Sequence, residues 1–297
     1  MRFLPANLVA PAWMLASVLL STGEMVVVHE LGPGWPPMLQ LFWRQGAALF
    51  LLLPFVLRDP RAALRTSRPG TLLFRSVAAM SALALTIYAL TRLPIANATA
   101  LSFTRPLWIV LLAALMLGER VGRWRAGAIA VGFAGTLVML APSLSSDDPA
   151  AHDLLGQAAV LGAALLFALS VVSMKSMSAD NDPMVIMVYG MIFGILVSVV
   201  PAWFQWRTPT PLQAVQLGAL GVFSLTAFVC FLKALTCGDA IAIVPFDYLR
   251  LPLAMGAGLV FFGEQTSIHA LAGGGMIIAA TLSVTLRERY RARRAMS

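Results

Sequence analysis

Ten stretches, at 9–29, 37–57, 71–92, 95–117, 122–141, 154–174, 184–205, 211–236, 240–262 and 267–286, are each mainly apolar and close to twenty residues long. A helix needs roughly 20 residues to cross a 30 Å hydrocarbon layer. Hydrophobic residues fill 59% of the 297 positions and charged ones 11%, against about 25% charged in an ordinary soluble domain. Mean hydropathy is +0.84. So little polar surface cannot coat a globule in water, and the solvent of this chain is lipid. The runs lack the apolar–polar alternation in segments of about ten residues that a barrel requires. Helices are then the way left to satisfy backbone groups in hydrocarbon. The expected fold is an all-α membrane protein of ten transmembrane helices.

The net charge of +8 is spread in a way that speaks of topology and against nucleic acid. Arg58, Arg61, Arg65 and Arg68 lie between the second and third runs, and Arg120, Arg123 and Arg125 between the fourth and fifth. Arg287, Arg289, Arg291, Arg293 and Arg294 end the chain. The intervening connections are poor in cations, and the one between runs five and six carries Asp147, Asp148 and Asp153. Alternate loops are therefore basic, the positive-inside pattern. It predicts a multi-pass protein of a bacterial inner membrane with both termini cytoplasmic. Glu24 and Pro11 in the first run do not suit a cleavable signal core. Cys230 and Cys237 share one run and read as packing residues. No cofactor or metal is expected, because no phosphate-binding glycine loop and no HExxH pair occurs and the three histidines are scattered.

The chain also repeats itself. Shifted by 145 residues, Arg250 falls on Arg105, Gly263–Glu264 on Gly118–Glu119, and "ALT" at 234–236 on "ALT" at 89–91. Ala and Leu matches are cheap in membrane sequence; a matched Arg and a matched Gly-Glu pair are not. Two halves follow, 1–145 and 146–297, joined through the Pro-, Ser- and Asp-rich stretch 141–153. Five spans per half is an odd number, so the second half enters the membrane from the opposite side. Inverted repeats of this kind characterise secondary transporters, whose substrates bind near the midplane between the repeats.

Ten spans in two five-helix halves, with a proline-started apolar helix running into "LGER" (117–120) and again into "FGEQ" (262–265), resemble the EamA-type exporters of the drug/metabolite transporter superfamily. The resemblance covers about 9–141 and 154–286. Within the superfamily the chain is most similar to the YddG-type aromatic amino acid exporters, although "STGE" at 21–24 replaces the usual Trp-Gly of the first helix. The resemblance implies export of amino acids or other small metabolites through a central cavity.

Ionisable residues inside spans are costly, about 2.5–3.5 kcal/mol each on insertion scales, and are functional candidates for that reason. Glu24, Arg44, Arg105, Asp247 and Arg250 lie well inside their runs. Glu24 shares a helical stripe with Ser17 and Ser21, which is either a packing face or a cavity wall. Asn97, Leu101, Arg105 and Trp108 form a stripe on the fourth span. Pro106 removes a backbone donor beside Arg105, so this span is expected to open locally, as a structural kink or as the edge of a polar cavity. Asp247, Tyr248, Arg250 and Pro252 stand at the matching place in the ninth span. Tyr88, Trp108 and Tyr248 are aromatic candidates for stacking a ligand, set against ordinary packing. Trp35, Trp203 and Trp206 read as interfacial anchors, and Glu119 and Glu264 as turn residues that favour the positive end of the next helix.

A zwitterionic amino acid needs a cation for its carboxylate, a carboxylate for its ammonium and an apolar or aromatic lining. Glu24, Arg105, Asp247, Arg250, Tyr88, Trp108, Tyr248 and Asn97 supply those chemistries. The reading is therefore a secondary transporter that exports aromatic or neutral amino acids by alternating access; it is not an enzyme. An exporter of anionic or phosphorylated metabolites is the alternative within transport. A membrane-embedded lipid-modifying enzyme is the alternative outside it, although no catalytic cluster marks a span end. The expected partners are a small-molecule substrate and the lipid bilayer, with no nucleic acid; the oligomeric state is left open, a monomer being compatible.

Overall fold

The computed structural model describes residues 6–59, 65–66, 69–117, 123–145, 153–175, 183–237 and 249–296. Eleven helices make up the described part: α1 (Ala6–Leu31), α2 (Pro37–Arg58), α3 (Pro69–Leu90), α4 (Ile95–Ser102), α5 (Arg105–Leu117), α6 (Arg123–Ser145), α7 (Leu154–Lys175), α8 (Pro183–Phe204), α9 (Pro211–Cys237), α10 (Arg250–Phe262) and α11 (Ile268–Met296). Seven stretches are long and apolar enough to cross a membrane, the α4–α5 pair counting as one of them. Three shorter apolar stretches, 126–139, 250–262 and 268–280, stand at the fifth, ninth and tenth places. The fold is all-helical and membrane-spanning, as the apolar runs require.

Prolines set several helix boundaries. Pro37, Pro69, Pro183 and Pro211 open α2, α3, α8 and α9, where a missing N–H costs nothing. The fourth span breaks ahead of Arg105 and Pro106. Phe103 and Thr104 form a turn in which Thr104 N–H returns to Leu101 O (3.1 Å) and Phe103 N–H to Ala100 O (3.2 Å). Thr104 Oγ1 donates to the same Leu101 carbonyl at 2.8 Å. These bonds take up the Ala100 and Leu101 carbonyls at the end of α4; Pro106 falls in the first turn of α5, where its missing N–H costs nothing, and Arg105 starts the new helix. Its counterpart Arg250 does the same in the ninth span: Arg105–Leu117 and Arg250–Phe262 are both 13 residues long and lie 145 residues apart, the offset of the repeat.

The most extensive helix pairings join the two halves: α1 with α9, α3 with α7, α6 with α11, and α2 with α8. The repeat relates α1 to α7 and α3 to α9, so it turns the α1–α9 pairing into α7–α3. It likewise turns α2–α9 into α8–α3, and α5–α7 into α10–α1, and all of these are present. These pairings between the halves come in mated pairs, as an inverted two-fold arrangement demands. At the α6–α11 crossing the backbones touch: a Cβ on Gly135 would stand 2.7 Å from Gly273 O and 2.8 Å from Met276 Cβ. Small residues allow this approach in lipid, where apolar side chains gain nothing by leaving the hydrocarbon.

The largest buried cluster lies toward the end of the bundle that carries the 32–36, 91–94 and 263–267 turns, and it draws Leu31, Leu39, Leu41, Leu90, Leu93, Leu101, Leu217 and Ile277 from both halves. Trp203 and Trp206 are exposed, as interfacial anchors should be, whereas Trp35 is 6% exposed and packs in this cluster. Its carbonyl accepts from Gln40 Nε2 at 3.1 Å. The difference arises because the short 32–36 turn folds Trp35 inward against the α1 end.

Candidate functional site

Glu24 and Arg44 find each other. Both stand seven residues inside their helices from the 32–36 turn, Glu24 before Leu31 and Arg44 after Pro37, a depth of about 10 Å at 1.5 Å per residue. Arg44 Nε donates to Glu24 Oε1 at 2.5 Å, and the side chains are 14% and 16% exposed. Arg44 Nη1 also donates to Gln45 Oε1 at 3.0 Å, and Gln45 Nε2 reaches the Met80 thioether at 2.9 Å. The chain Glu24–Arg44–Gln45–Met80 thus links α1, α2 and α3. The second half closes around it. Gly194 of α8 leaves the space Gln45 and Met80 fill, since a Cβ there would be 2.7 Å from Gln45 Cγ. Phe223 of α9 lies over Gly23, beside Glu24. Two opposite charges inside the bundle, at the contact of the halves, lower the insertion cost that either would carry alone.

Ser17 separates from Glu24 in role. Its hydroxyl donates to Ala227 O of α9 at 2.8 Å and is buried, so the lower part of the Ser17–Ser21–Glu24 stripe is a helix contact and the upper part carries the charge pair. Arg44 was visible in sequence as a mid-span charge, but the pairing was not, because nothing in spacing links residues on two different helices.

Arg105 starts α5 ten residues from Ile95, about 15 Å from that end, with its guanidinium over the Phe167 ring of α7 at 4.9 Å. Trp108 packs edge-on against Phe133 at 4.8 Å. Asn97 and Leu101 belong to α4, so the stripe foreseen on one helix is divided by the 103–104 turn; Leu101 is buried and Asn97 half-buried. Arg250 is half-buried at the start of α10. Asp247 and Tyr248 lie outside the described residues, as do Gly118 and Glu119. Tyr88 keeps different company from Arg105: its hydroxyl accepts from Arg92, whose guanidinium also lies over the Tyr88 ring and pairs with Asp153 at 2.5 Å. Tyr88 thus belongs to the turn-bearing end.

That end contains His29, for which the sequence offered no role, and Glu264, read there as a turn residue. Gly263 adopts φ +65° after α10, with Gly263 N–H bonded to Leu259 O and Glu264 N–H to Gly258 O. This αL turn swings Glu264 back over the helix end. Glu264 Oε1 meets His29 Nε2 at 3.0 Å, and Glu264 Oε2 accepts from Ile95 N–H at 3.0 Å. His29 Nδ1 lies 2.6 Å from Leu90 O. The expected attraction of Glu264 to a helix start is present, but the helix is α4 of the other half; α11 is capped instead by Ser267, whose Oγ takes Ala270 N–H at 3.1 Å.

Similarity to known proteins agrees with this architecture. A protein of known crystal structure superposes with a TM-score of 0.61 over 98% of this chain and 99% of that one, at 19% identity, a likeness of fold. The S-adenosylmethionine uptake transporter of Rickettsia prowazekii is 30% identical over 93% of this chain and 92% of its own. The riboflavin transporter of Rhizobium johnstonii is 32% identical over 96% and 94%. The pseudopaline exporter of Pseudomonas aeruginosa is 26% identical over 84% and 86%. The EamA-like transporter family is matched twice, at 8–141 and at 154–286. With each half of the bundle matched and a helix starting at each of the two repeat-related arginines, the chain belongs to the EamA-like transporter family.

Proposed function

We propose that this protein is a secondary transporter of amino-acid-type metabolites, working by alternating access of two halves, 1–145 and 146–297, in a bacterial inner membrane with both termini cytoplasmic. The observation that carries the reading is the Glu24–Arg44 pair: a carboxylate and a guanidinium in contact, inside the bundle, where the halves meet. A zwitterion can replace each partner for the other, its ammonium on Glu24 and its carboxylate on Arg44. Arg105 and Arg250 support it, since each begins a helix deep in its span, and inverted-repeat transporters aim such half-helix starts at anionic groups. Asn97, Trp108, Asp247 and Tyr248 remain in the proposed lining, while Tyr88 serves the turn-bearing end with Arg92. S-adenosylmethionine is itself an amino acid bearing a purine, and riboflavin is a planar heterocycle. The names of the relatives therefore fit a substrate with a ring and extend the range beyond aromatic amino acids. Both uptake and export occur among those names, and the basic loops favour no direction of flux.

Ligand-dependent unfolding in detergent tests the reading. A ligand at a thousand times its Kd stabilises by about 4.1 kcal/mol. Phenylalanine, tryptophan or S-adenosylmethionine should raise the unfolding temperature, and the Glu24→Gln, Arg44→Gln double variant should lose the shift. A shift with glucose 6-phosphate or riboflavin, but with none of the three zwitterions, would replace the zwitterion reading.

A further inference from the structure

We propose that His29 and Glu264 form a proton-binding site that makes closure of the turn-bearing end of the bundle depend on taking up a proton. The argument is one of donors and acceptors. His29 Nδ1 faces Leu90 O at 2.6 Å and Nε2 faces Glu264 Oε1 at 3.0 Å. A carbonyl and an ionised carboxylate are both acceptors, and a neutral imidazole has a single N–H. Whichever nitrogen carries it, the other presents a lone pair to an acceptor. The geometry is satisfied only when one more proton is present, giving imidazolium with carboxylate, or imidazole with a carboxyl that donates to Nε2.

The surroundings suit the charged pair. Leu90 is the last residue of α3, so its carbonyl belongs to a negative helix end, and Glu264 takes the Ile95 N–H at the positive end of α4. Phe262 covers the imidazole edge-on at 4.5 Å. The other titratable groups here are accounted for. Glu30 on α1 and His269 on α11 are exposed. Tyr88, Arg92 and Asp153 are bound to one another, and Arg207 donates to Gly34 O across the same end at 2.5 Å. Residues 95–102 of α4 contain no titratable side chain.

The joint ties α1, α3 and α4 of the first half to the α10–α11 turn of the second. Separating the halves at this end breaks it and returns the proton to the water on that side; closing takes it up again. The consequence for flux, movement of substrate coupled to protons, rests on the alternating-access reading. The joint itself can be tested without any substrate, so failure of one leaves the other standing.

The reporter is Thr99→Cys, in purified protein whose Cys230 and Cys237 are replaced by Ala. Thr99 is 1% exposed, one turn into α4 behind the joint. Its rate of labelling by a methanethiosulfonate reagent is divided by that of Thr208→Cys in the exposed 205–210 loop. Glu264→Gln and His29→Gln keep an amide N–H to bridge the joint without a titrating proton. With the native pair, the corrected rate should rise about tenfold between about pH 5 and about pH 8, the range over which histidine changes charge. With either glutamine it should stay low and flat. One shared pH profile for all three proteins would overturn the proposal. If neither glutamine variant is monodisperse, an infrared titration with His152 and His269 replaced by Gln isolates His29. An imidazolium or carboxyl band that titrates together with the labelling rate upholds the site, and a proton-free pair across the whole range overturns it.

Discussion

Removing one member of the Glu24–Arg44 pair should cost more than removing both. In Glu24→Gln, Arg44 keeps its bond to Gln45 and can gain the new amide oxygen, so the charge is solvated by dipoles only. Breaking a buried pair by removing one partner costs about 3–5 kcal/mol. The side chains here are 14% and 16% exposed, which places the expected loss at or just below the lower end of that range, about 2–3 kcal/mol. Arg44→Gln leaves Glu24 without its guanidinium and should cost about 3 kcal/mol. The double variant leaves two neutral amides within reach of each other and should cost about 1 kcal/mol. The coupling between the positions is then about 4–5 kcal/mol, well above the few tenths found for independent sites. Reversible unfolding in mixed micelles measures all four proteins, and counterflow in proteoliposomes measures their transport. A coupling within about 0.5 kcal/mol of zero would refute the pair as a structural unit. A double variant that folds and transports like the wild type would refute it as a substrate site.

Four further outcomes follow from the same structure. Gly135→Leu should destabilise by about 3 kcal/mol or more, the upper range of overpacking, because Gly273 O and Met276 Cβ block the first carbon of any side chain; unfolding in micelles reads it. Gly263→Ala should cost about 1 kcal/mol, since φ there is +65°. Gly256→Ala, in the interior of α10 with open space around it, should gain about 0.5–1 kcal/mol in the same assay. Cysteine at Gly34 should react with an impermeant thiol reagent in intact cells and cysteine at Arg65 only after permeabilisation; the reverse pattern would overturn the orientation drawn from the basic loops.

Much of the architecture was legible because lipid leaves the chain few options. Run length gave the spans, and the inverted repeat showed in a handful of matched residues. Pro106 next to Arg105 announced the interruption of the fourth span, and the 145-residue shift carried the same boundary to Arg250. Tertiary partners were another matter. His29 was one of three scattered histidines, and Glu264 read as a turn residue; their contact comes from packing α10 of one half against α1 and α4 of the other. Glu24 was singled out by its charge, but its partner Arg44 lies on a separate helix and no periodicity connects them. Trp35 was read as an anchor from its place at a span end, while the tightness of the 32–36 turn decides that it is buried. Tyr88 was grouped with Arg105 by nearness in sequence, yet it closes the far end of α3 with Arg92 and Asp153.

Counterflow in proteoliposomes tests the central claim most directly. Vesicles preloaded with unlabelled tryptophan, phenylalanine or S-adenosylmethionine, and diluted into a trace of the labelled compound, should accumulate label transiently when they contain the wild-type protein. Vesicles with the Glu24→Gln, Arg44→Gln protein at equal incorporation should not. Accumulation of labelled sugar phosphate with none of the zwitterions, or equal accumulation by the double variant, would contradict a zwitterion site held between the halves by Glu24 and Arg44.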